Sequence, residues 1–387
     1  MISKVNQFTK EVKDELIYLS EYIRNNPELG YEEHKACKAH VDLLKKHGFD
    51  VVENYLGIST AFRAEFDSKK EGRAIAYLAE YDALPGIGHG CGHNLLGTTS
   101  TGAGIVLSKM IKEIGGKVVV FGTPAEETNG AKVDMANAKA FDPIHVAMMA
   151  HPADFHYKSG SSLAMEAIEF TFKGKTAHAA ASPDKGINAL DACINTFNNI
   201  NALREHIKSD ARVHGIIKEG GKAANIVPDL AVAQFYVRAT TKTYLKELIE
   251  KVKNCARGAS LAAGTTLEIR NYEASYDNLV TNEALSKAYT KRLQEVGVTD
   301  IHEPKDSYGS LDAGNVSHIC PTIHPYFGIC ETETPGHTIE LQEATSKLLA
   351  FNNMEQTIDA LVLTAIDIIT NDDLYEKIKL EFDTTQK

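Results

Sequence analysis

The chain contains no tryptophan, and its six cysteines, Cys37, Cys91, Cys193, Cys255, Cys320 and Cys330, show none of the regular spacing of a disulfide framework. Cysteines scattered through 387 residues exclude a small cross-linked scaffold, so a cysteine with a special role is expected to be a ligand or a nucleophile. No apolar run approaches the ~18 residues of a membrane span, and the stretch MISKVNQFTKEVKDELIYLS lacks the apolar region and small-residue cleavage site of a signal peptide. The expectation is a soluble, cytoplasmic protein with no membrane association. Positive charge is scarce too, with 41 Lys+Arg against 52 Asp+Glu and a net charge of −11, which disfavours a nucleic-acid partner. Internal repeats and low-complexity segments are missing, and 43% apolar with 24% charged residues is a globular mixture that excludes a mainly disordered chain.

What is present suggests two domains, because single cores stop growing at roughly 250–300 residues. Val12, Leu16, Leu19 and Ile23 recur at helical spacing before Asn26-Pro27, and a second helix is expected over 31–46. Apolar runs of strand length follow at Ala74–Ala79, Lys117–Gly122, 145–150 and 322–328, with a long helix expected over 94–114 and another over 354–369. Alternation of this kind predicts an α/β sheet covered on both faces, whose ligand site lies beyond the carboxyl ends of the strands. The middle of the chain has a different rhythm. Strands at 167–173, 213–219, 229–239 and 266–272 and helices marked by Ile187 to Leu203 and by 244–261 give the order βαββαβ, a ferredoxin-like layer. The expected organisation is an α/β catalytic domain over 1–165 and 275–387, interrupted by an inserted domain over 166–274.

Four segments just past expected strand ends carry metal-ligand residue types: YDALPGIGHGCGHN from Tyr81, TPAEE from Thr123, AHPAD from Ala150 and TPGHT from Thr334. Each alone reads more readily as a solvated loop; their shared placement is harder to dismiss. Cys91 and His93, one residue apart, can meet one ion, whereas a structural zinc site would normally show a second such pair. One carboxylate of Glu126 and Glu127, with His151 and His337, completes a mixed S/N/O set that suits zinc or manganese. Adjacent carboxylates on such a loop point in different directions. One can hold the ion while the other takes a proton from the attacking water, the division of labour in metal-assisted hydrolysis. Asp82 fits the acceptor of a ligating imidazole's second N–H, or alternatively a turn residue ahead of Pro85.

With these residues in view, the sequence resembles the clan MH dinuclear-metal peptidases and amidohydrolases, over nearly its whole length, from NPELGYEE at Asn26 to PGHT at Pro335. Within them it is most similar to the aminobenzoyl-glutamate hydrolase and β-alanyl-lysine dipeptidase-like subgroup, because YDALPGIGH runs straight into CGHN and SLDAGNVSH is followed by HPYFGI. The resemblance implies a mixed-sheet metallopeptidase-type domain with a ferredoxin-like lid and dimerisation domain. It implies Cys91, His93, Glu127, His151 and His337 as ligands of one or two divalent ions, and Glu126 as the base. In the lid segment FKGKTAHAAASPDKGINALDA, His178 would reach a carbonyl oxygen, often across a homodimer interface. Asn225 and Arg238 would bind substrate, the arginine through its planar fork on a free carboxylate. Ser310, Asp312 and Asn315 receive no role.

Some positions depart from the wider family. Glu80 stands where many members have a metal-binding histidine, Asn94 where many have an acid, and Leu311 where the subgroup tends to have threonine. The expected activity is metal-dependent hydrolysis of the amide in a dipeptide, an N-acyl amino acid or an aminobenzoyl-glutamate-like conjugate. The competing readings are a catalytically idle partner subunit, whose expected mark would be loss of the base or a ligand, and a cysteine hydrolase using Cys91 with His93 or His89.

Overall fold

The computed structural model describes residues 1–304 and 309–385. Ala74–Ala79 (AIAYLA) is buried at every position, as a strand covered on both faces must be. It pairs in parallel with Lys117–Gly122 on one side and Val146–Met148 on the other. Thr322–Ile323 extends the sheet in parallel, while Phe62–Asp67 and Asp50–Glu53 add an antiparallel edge beside Lys117–Gly122. The result is a mixed six-stranded sheet. Helix His93–Ile114 packs on its two central strands and against helices Ile2–Asn25 and Leu348–Thr370. At Gly97 a Cβ would stand 2.4 Å from the Glu80 carbonyl oxygen. Glycine there lets the helix begin directly against a strand end.

The chain divides into two compact units, one built from Met1–Ser161 with most of the chain after Leu279, the other from Ser162–Asn278 with residues 309–311. The second unit is a four-stranded antiparallel sheet in the order Thr266–Asn271, Ala164–Lys173, Leu230–Ala239, Arg212–Glu219. Helices Ala189–Leu203 and Lys242–Ala263 cover one face, towards which Ala231, Ala233, Phe235 and Val237 point. Gln234, Tyr236 and Arg238 alternate onto the other face. This is the ferredoxin-like βαββαβ arrangement.

Several elements differ from the sequence reading. The run 322–328 is two strands: Pro325 has no N–H to donate, the ladder stops, and Tyr326–Gly328 pairs instead with His151–Ala153 in a separate two-stranded sheet. The second helix starts at His34, because Tyr31 holds φ 65°, a left-handed conformation that cannot propagate a helix. Ile187 bridges to Lys175, and its helix starts at Ala189, where the Asn188 side chain accepts from the N–H groups of Leu190 and Asp191. An extra helix, Asp372–Thr385, follows Leu348–Thr370 after a break at Asn371, whose side chain accepts from Leu374 N–H at 3.1 Å. The strands Asp50–Glu53 and Phe62–Asp67 were not expected. Residues 305–308, within the expected catalytic-domain segment 275–387, lie outside the described residues. No helix among the described residues is long and apolar enough to cross a membrane.

Candidate metal centre

The strand ends deliver the acidic and sulfur-bearing segments to one place. Ala74–Ala79 runs into Glu80 and Asp82, and Lys117–Gly122 leads to Glu126 and Glu127. Helix His93–Ile114 begins at His93, with Cys91 immediately ahead of it. Between those two, Gly92 holds φ 82°, and a Cβ there would stand 2.8 Å from Pro152 Cγ, so the Cys-Gly-His spacing needs its glycine twice over. Two non-glycine residues, Ala125 and His337, hold φ 63° and 61°. Left-handed backbone of this kind is costly and is retained at sites where geometry matters.

Three overlapping sets of ligand atoms lie within 4.8 Å of one another: Cys91, His93 and His151; Cys91, Glu127 and His337; His93, Glu126 and Glu127. The imidazoles are oriented from behind. Asp82 Oδ1 lies 2.8 Å from His93 Nδ1, and its Oδ2 accepts the Glu127 N–H at 2.9 Å, so one carboxylate fixes two members of the cluster. His151 Nδ1 donates to the Pro152 carbonyl at 2.7 Å, leaving Nε2 facing Cys91 Sγ at 3.5 Å. Burial, reinforced by the neighbouring His93 and His324, lowers His151 to about 3, which keeps it in the neutral form that binds metals. His93 Nε2 is buried 3.3 Å from Glu80 Oε2, yet neither atom makes a hydrogen bond among the described residues. Inward-facing buried donors without partners are costly, and a cation is what satisfies such a set. The thiol, imidazole and carboxylate donors therefore fit a divalent metal.

Electrostatics separate the two adjacent acids. Burial first, then Glu80, Asp312 and Glu127, push Glu126 well above the usual carboxyl range. Glu127 is held at about 2 in spite of burial, by His337 (3.3 Å away), His93 and Cys91. Burial raises the Cys91 thiol.

The sequence reading gave no place to Lys132. It is fully buried, with Nζ 2.6 Å from Glu80 Oε1 and 2.6 Å from Asp312 Oδ1. Glu80 is thus neutralised by an ammonium group and held at about 2 against the effect of burial. His324 and Tyr326 also line the cluster, their rings 5.5 and 5.4 Å from His151. No local signal marks Lys132, since its burial depends on three segments distant in sequence. The other predicted residues belong to the second unit. His178 and Asn225 are both exposed and lie on paired segments, joined by Ala179 N–H to the Asn225 carbonyl at 3.0 Å. Arg238 ends strand Leu230–Ala239 and donates to Ser310 Oγ at 3.2 Å.

Glu33 braces the acid loop from beneath, accepting the Ala125 N–H at 2.8 Å from a fully buried position. Burial, aided by Asp82, raises it to about 7. A raised carboxyl binds more protons folded than unfolded, so its contribution to stability falls as pH rises from its ordinary value of 4.5 to about 7. Glu33→Gln keeps the acceptor oxygen and removes this loss. In metal-free protein the variant should gain roughly 1–3 kcal/mol on wild type between pH 4.5 and 8, read from urea midpoints. A pH-independent difference would rule this out.

A mixed α/β sheet with S/N/O donors gathered at its strand ends, accompanied by a ferredoxin-like unit, defines a two-unit metal-dependent hydrolase. Residues 165–262 match the model of the peptidase dimerisation domain of the M20 family. The chain is 38% identical to the Xaa-Arg dipeptidase of Mus musculus, covering 96% of this chain and 90% of that protein. It is 34% identical to a p-aminobenzoyl-glutamate hydrolase polypeptide of Escherichia coli over 73% of this chain and 62% of that one. An aminobenzoyl-glutamate utilization protein from Klebsiella pneumoniae superposes with a TM-score of 0.74 at 17% identity, covering 94% of this chain and 98% of that one. A dinuclear metal binding M20 peptidase from Bacillus subtilis gives 0.69 at 20% identity, covering 92% and 99%. The chain belongs to the M20 family of metal-dependent peptidases and amidohydrolases.

Proposed function

We propose that this chain hydrolyses the amide bond of small substrates ending in a free carboxylate: dipeptides, N-acyl amino acids or an aminobenzoyl-glutamate-like conjugate. The observation that carries the reading is the cluster of donors around Cys91 with an intact Glu126 beside it. Cys91, His93, Glu127, His151 and His337 would hold zinc or manganese. Cys91, His93 and Glu127 are each common to two of the donor sets, so the cluster has donors enough for one or two ions. When bound, the metal supplies Lewis acidity that polarises the substrate carbonyl and makes water a better nucleophile. Glu126 takes the proton of the attacking water and passes it to the departing amine. Asp82 holds His93 in register and the backbone of Glu127 with it.

In the inserted domain, taken as 166–274, His178 would donate to the developing oxyanion, with Asn225 beside it and Arg238 on the free carboxylate. The dimerisation-domain match supports a homodimer formed through this domain, which would work in the cytoplasm. Cys91 as a nucleophile is disfavoured: its half-buried thiol is pushed up by desolvation and surrounded by ligand-type groups, the environment of an inert or metal-binding cysteine. An idle subunit is disfavoured by the retained base and ligands.

The test is amine release from a panel of dipeptides, N-acetyl and N-benzoyl amino acids and aminobenzoyl-glutamate, with added zinc or manganese. Release should disappear in chelator and return with metal. Silence from every substrate, in folded and metal-loaded protein, would transfer the case to the idle subunit.

A further inference from the structure

Residues 28–33 join the first two helices and touch both strand-end loops that supply the metal centre. The Glu28 carbonyl accepts the N–H of Ala83, the residue after Asp82, at 2.8 Å. Its carboxylate accepts the Lys35 and Ala36 N–H groups at 2.8 and 3.0 Å, which ties the segment to the start of helix His34–Lys46. Glu33 is anchored to the same helix, because its carbonyl accepts the Cys37 N–H at 2.9 Å. From that fixed point its side chain reaches the N–H of Ala125, immediately ahead of Glu126. Between the two acids the chain lies flat against the Glu126 loop: a Cβ on Gly30 would stand 2.5 Å from Thr128 Oγ1 and 3.0 Å from Ala125 Cα.

Ala125 is where this contact matters. It holds φ 63°, a conformation that is costly for a residue with a Cβ and persists only when the surroundings impose it. Its carbonyl is held from within the loop, by the N–H groups of Gly130 at 2.7 Å and Thr128 at 3.2 Å. Its N–H is held from outside the loop, by Glu33 Oε1 at 2.8 Å. Both ends of one residue are thus pinned, and they fix the direction in which the chain enters Glu126. The other oxygen of Glu33, Oε2, is buried without a hydrogen bond among the described residues, which is a cost to stability. What the carboxyl secures at that cost is geometry. We propose that Glu33 is a positioning residue for the base: by holding Ala125 in the left-handed region it aims the Glu126 carboxyl at the water to be deprotonated. The inference rests on the proposed role of Glu126 and deepens it by naming the group that fixes its direction. Glu127 is placed by a different group, since Asp82 accepts its N–H at 2.9 Å. Base and ligand, adjacent in sequence, therefore have separate supports, and one can be disturbed without the other.

The experiment measures kcat, KM and metal content for Glu33→Ala, Glu33→Gln and Gly30→Ala, with crystal structures beside the kinetics. Glu33→Ala should lower kcat by about ten- to a hundredfold, the scale of a slightly misplaced catalytic group, while KM stays within about twofold and the metal is retained. Glu33→Gln keeps the acceptor oxygen and should bring kcat back to within about threefold of wild type. Gly30→Ala pushes the segment off the loop with Glu33 intact and should reproduce the loss, which keeps the test open should Glu33→Ala not fold. In an Ala125→Gly background the left-handed conformation costs little, so the loss caused by Glu33→Ala should shrink to less than about fivefold. A merely structural acid would leave kcat per folded site untouched. Wild-type kcat in Glu33→Ala or Gly30→Ala, a Glu33→Gln as impaired as Glu33→Ala, or metal lost together with activity would overturn the proposal. If wild type cleaves no amide, the proposed function fails on its own, and the crystal structures decide for Glu33. Ala125 released from the left-handed region with Glu126 displaced in Glu33→Ala or Gly30→Ala supports the assignment; an unchanged backbone and side chain overturn it.

Discussion

Glu126→Gln lowers kcat by about 10²–10⁴-fold while the protein keeps its fold and its metal, the range expected when a general base is removed. Glutamine preserves the shape and an acceptor oxygen but cannot take a proton. The choice of Glu126 over its neighbour comes from their surroundings. Glu127 is tied to His337, its backbone N–H is fixed by Asp82, and it remains ionised at about 2, as a ligand must. Glu126 sits among Glu80, Asp312 and Glu127, and burial with these charges raises its proton affinity, the direction a general base needs. Glu127→Gln should behave differently and lose metal. Elemental analysis beside steady-state kinetics separates the two. Should Glu126→Gln retain more than about a tenth of the activity, or lose metal as readily as Glu127→Gln, the assignment is wrong.

The sequence made the donor residues visible because each occupies a short segment past a strand, where chemistry-bearing side chains are scarce and their spacing is local. Cys91 and His93 are separated by a glycine, and the close Pro152 contact and φ 82° of Gly92 show why that motif is so compact. The strands with continuous apolar runs, such as Ala74–Ala79, were equally visible. Asp50–Glu53 was not, since an exposed edge strand needs neither an apolar run nor strict alternation. The missed Lys132 has a deeper reason. A lysine in a short helix reads as solvated, and its burial between Glu80 and Asp312 is decided by a residue from a strand end and one more than a hundred positions away. Glu80 stood out only as a departure from the wider family; its physical role requires Lys132.

That pairing leads to the second large effect. Lys132→Met should destabilise the protein by about 3–5 kcal/mol, because removing one member of a buried ionic group leaves the others uncompensated. Glu80 and Asp312 are both buried, and each loses a contact of 2.6 Å. Lys132→Arg should not rescue, since a fully enclosed ammonium leaves no room for a planar fork. If charge balance is the reason, adding Glu80→Gln and Asp312→Asn to Lys132→Met should recover most of the loss, although each alone removes a native contact. Urea unfolding of the single and combined variants measures this coupling directly. A cost under about 1 kcal/mol for Lys132→Met would refute the account. The same logic reaches the metal centre, because Glu80 lies 3.3 Å from His93. Once its ammonium partner is gone, Glu80 is an unpaired acid beside the ligands, and added zinc or manganese should stabilise Lys132→Met more than it stabilises wild type. Equal stabilisation of the two proteins would mean that Lys132 holds the fold together without setting the charge at the metal centre.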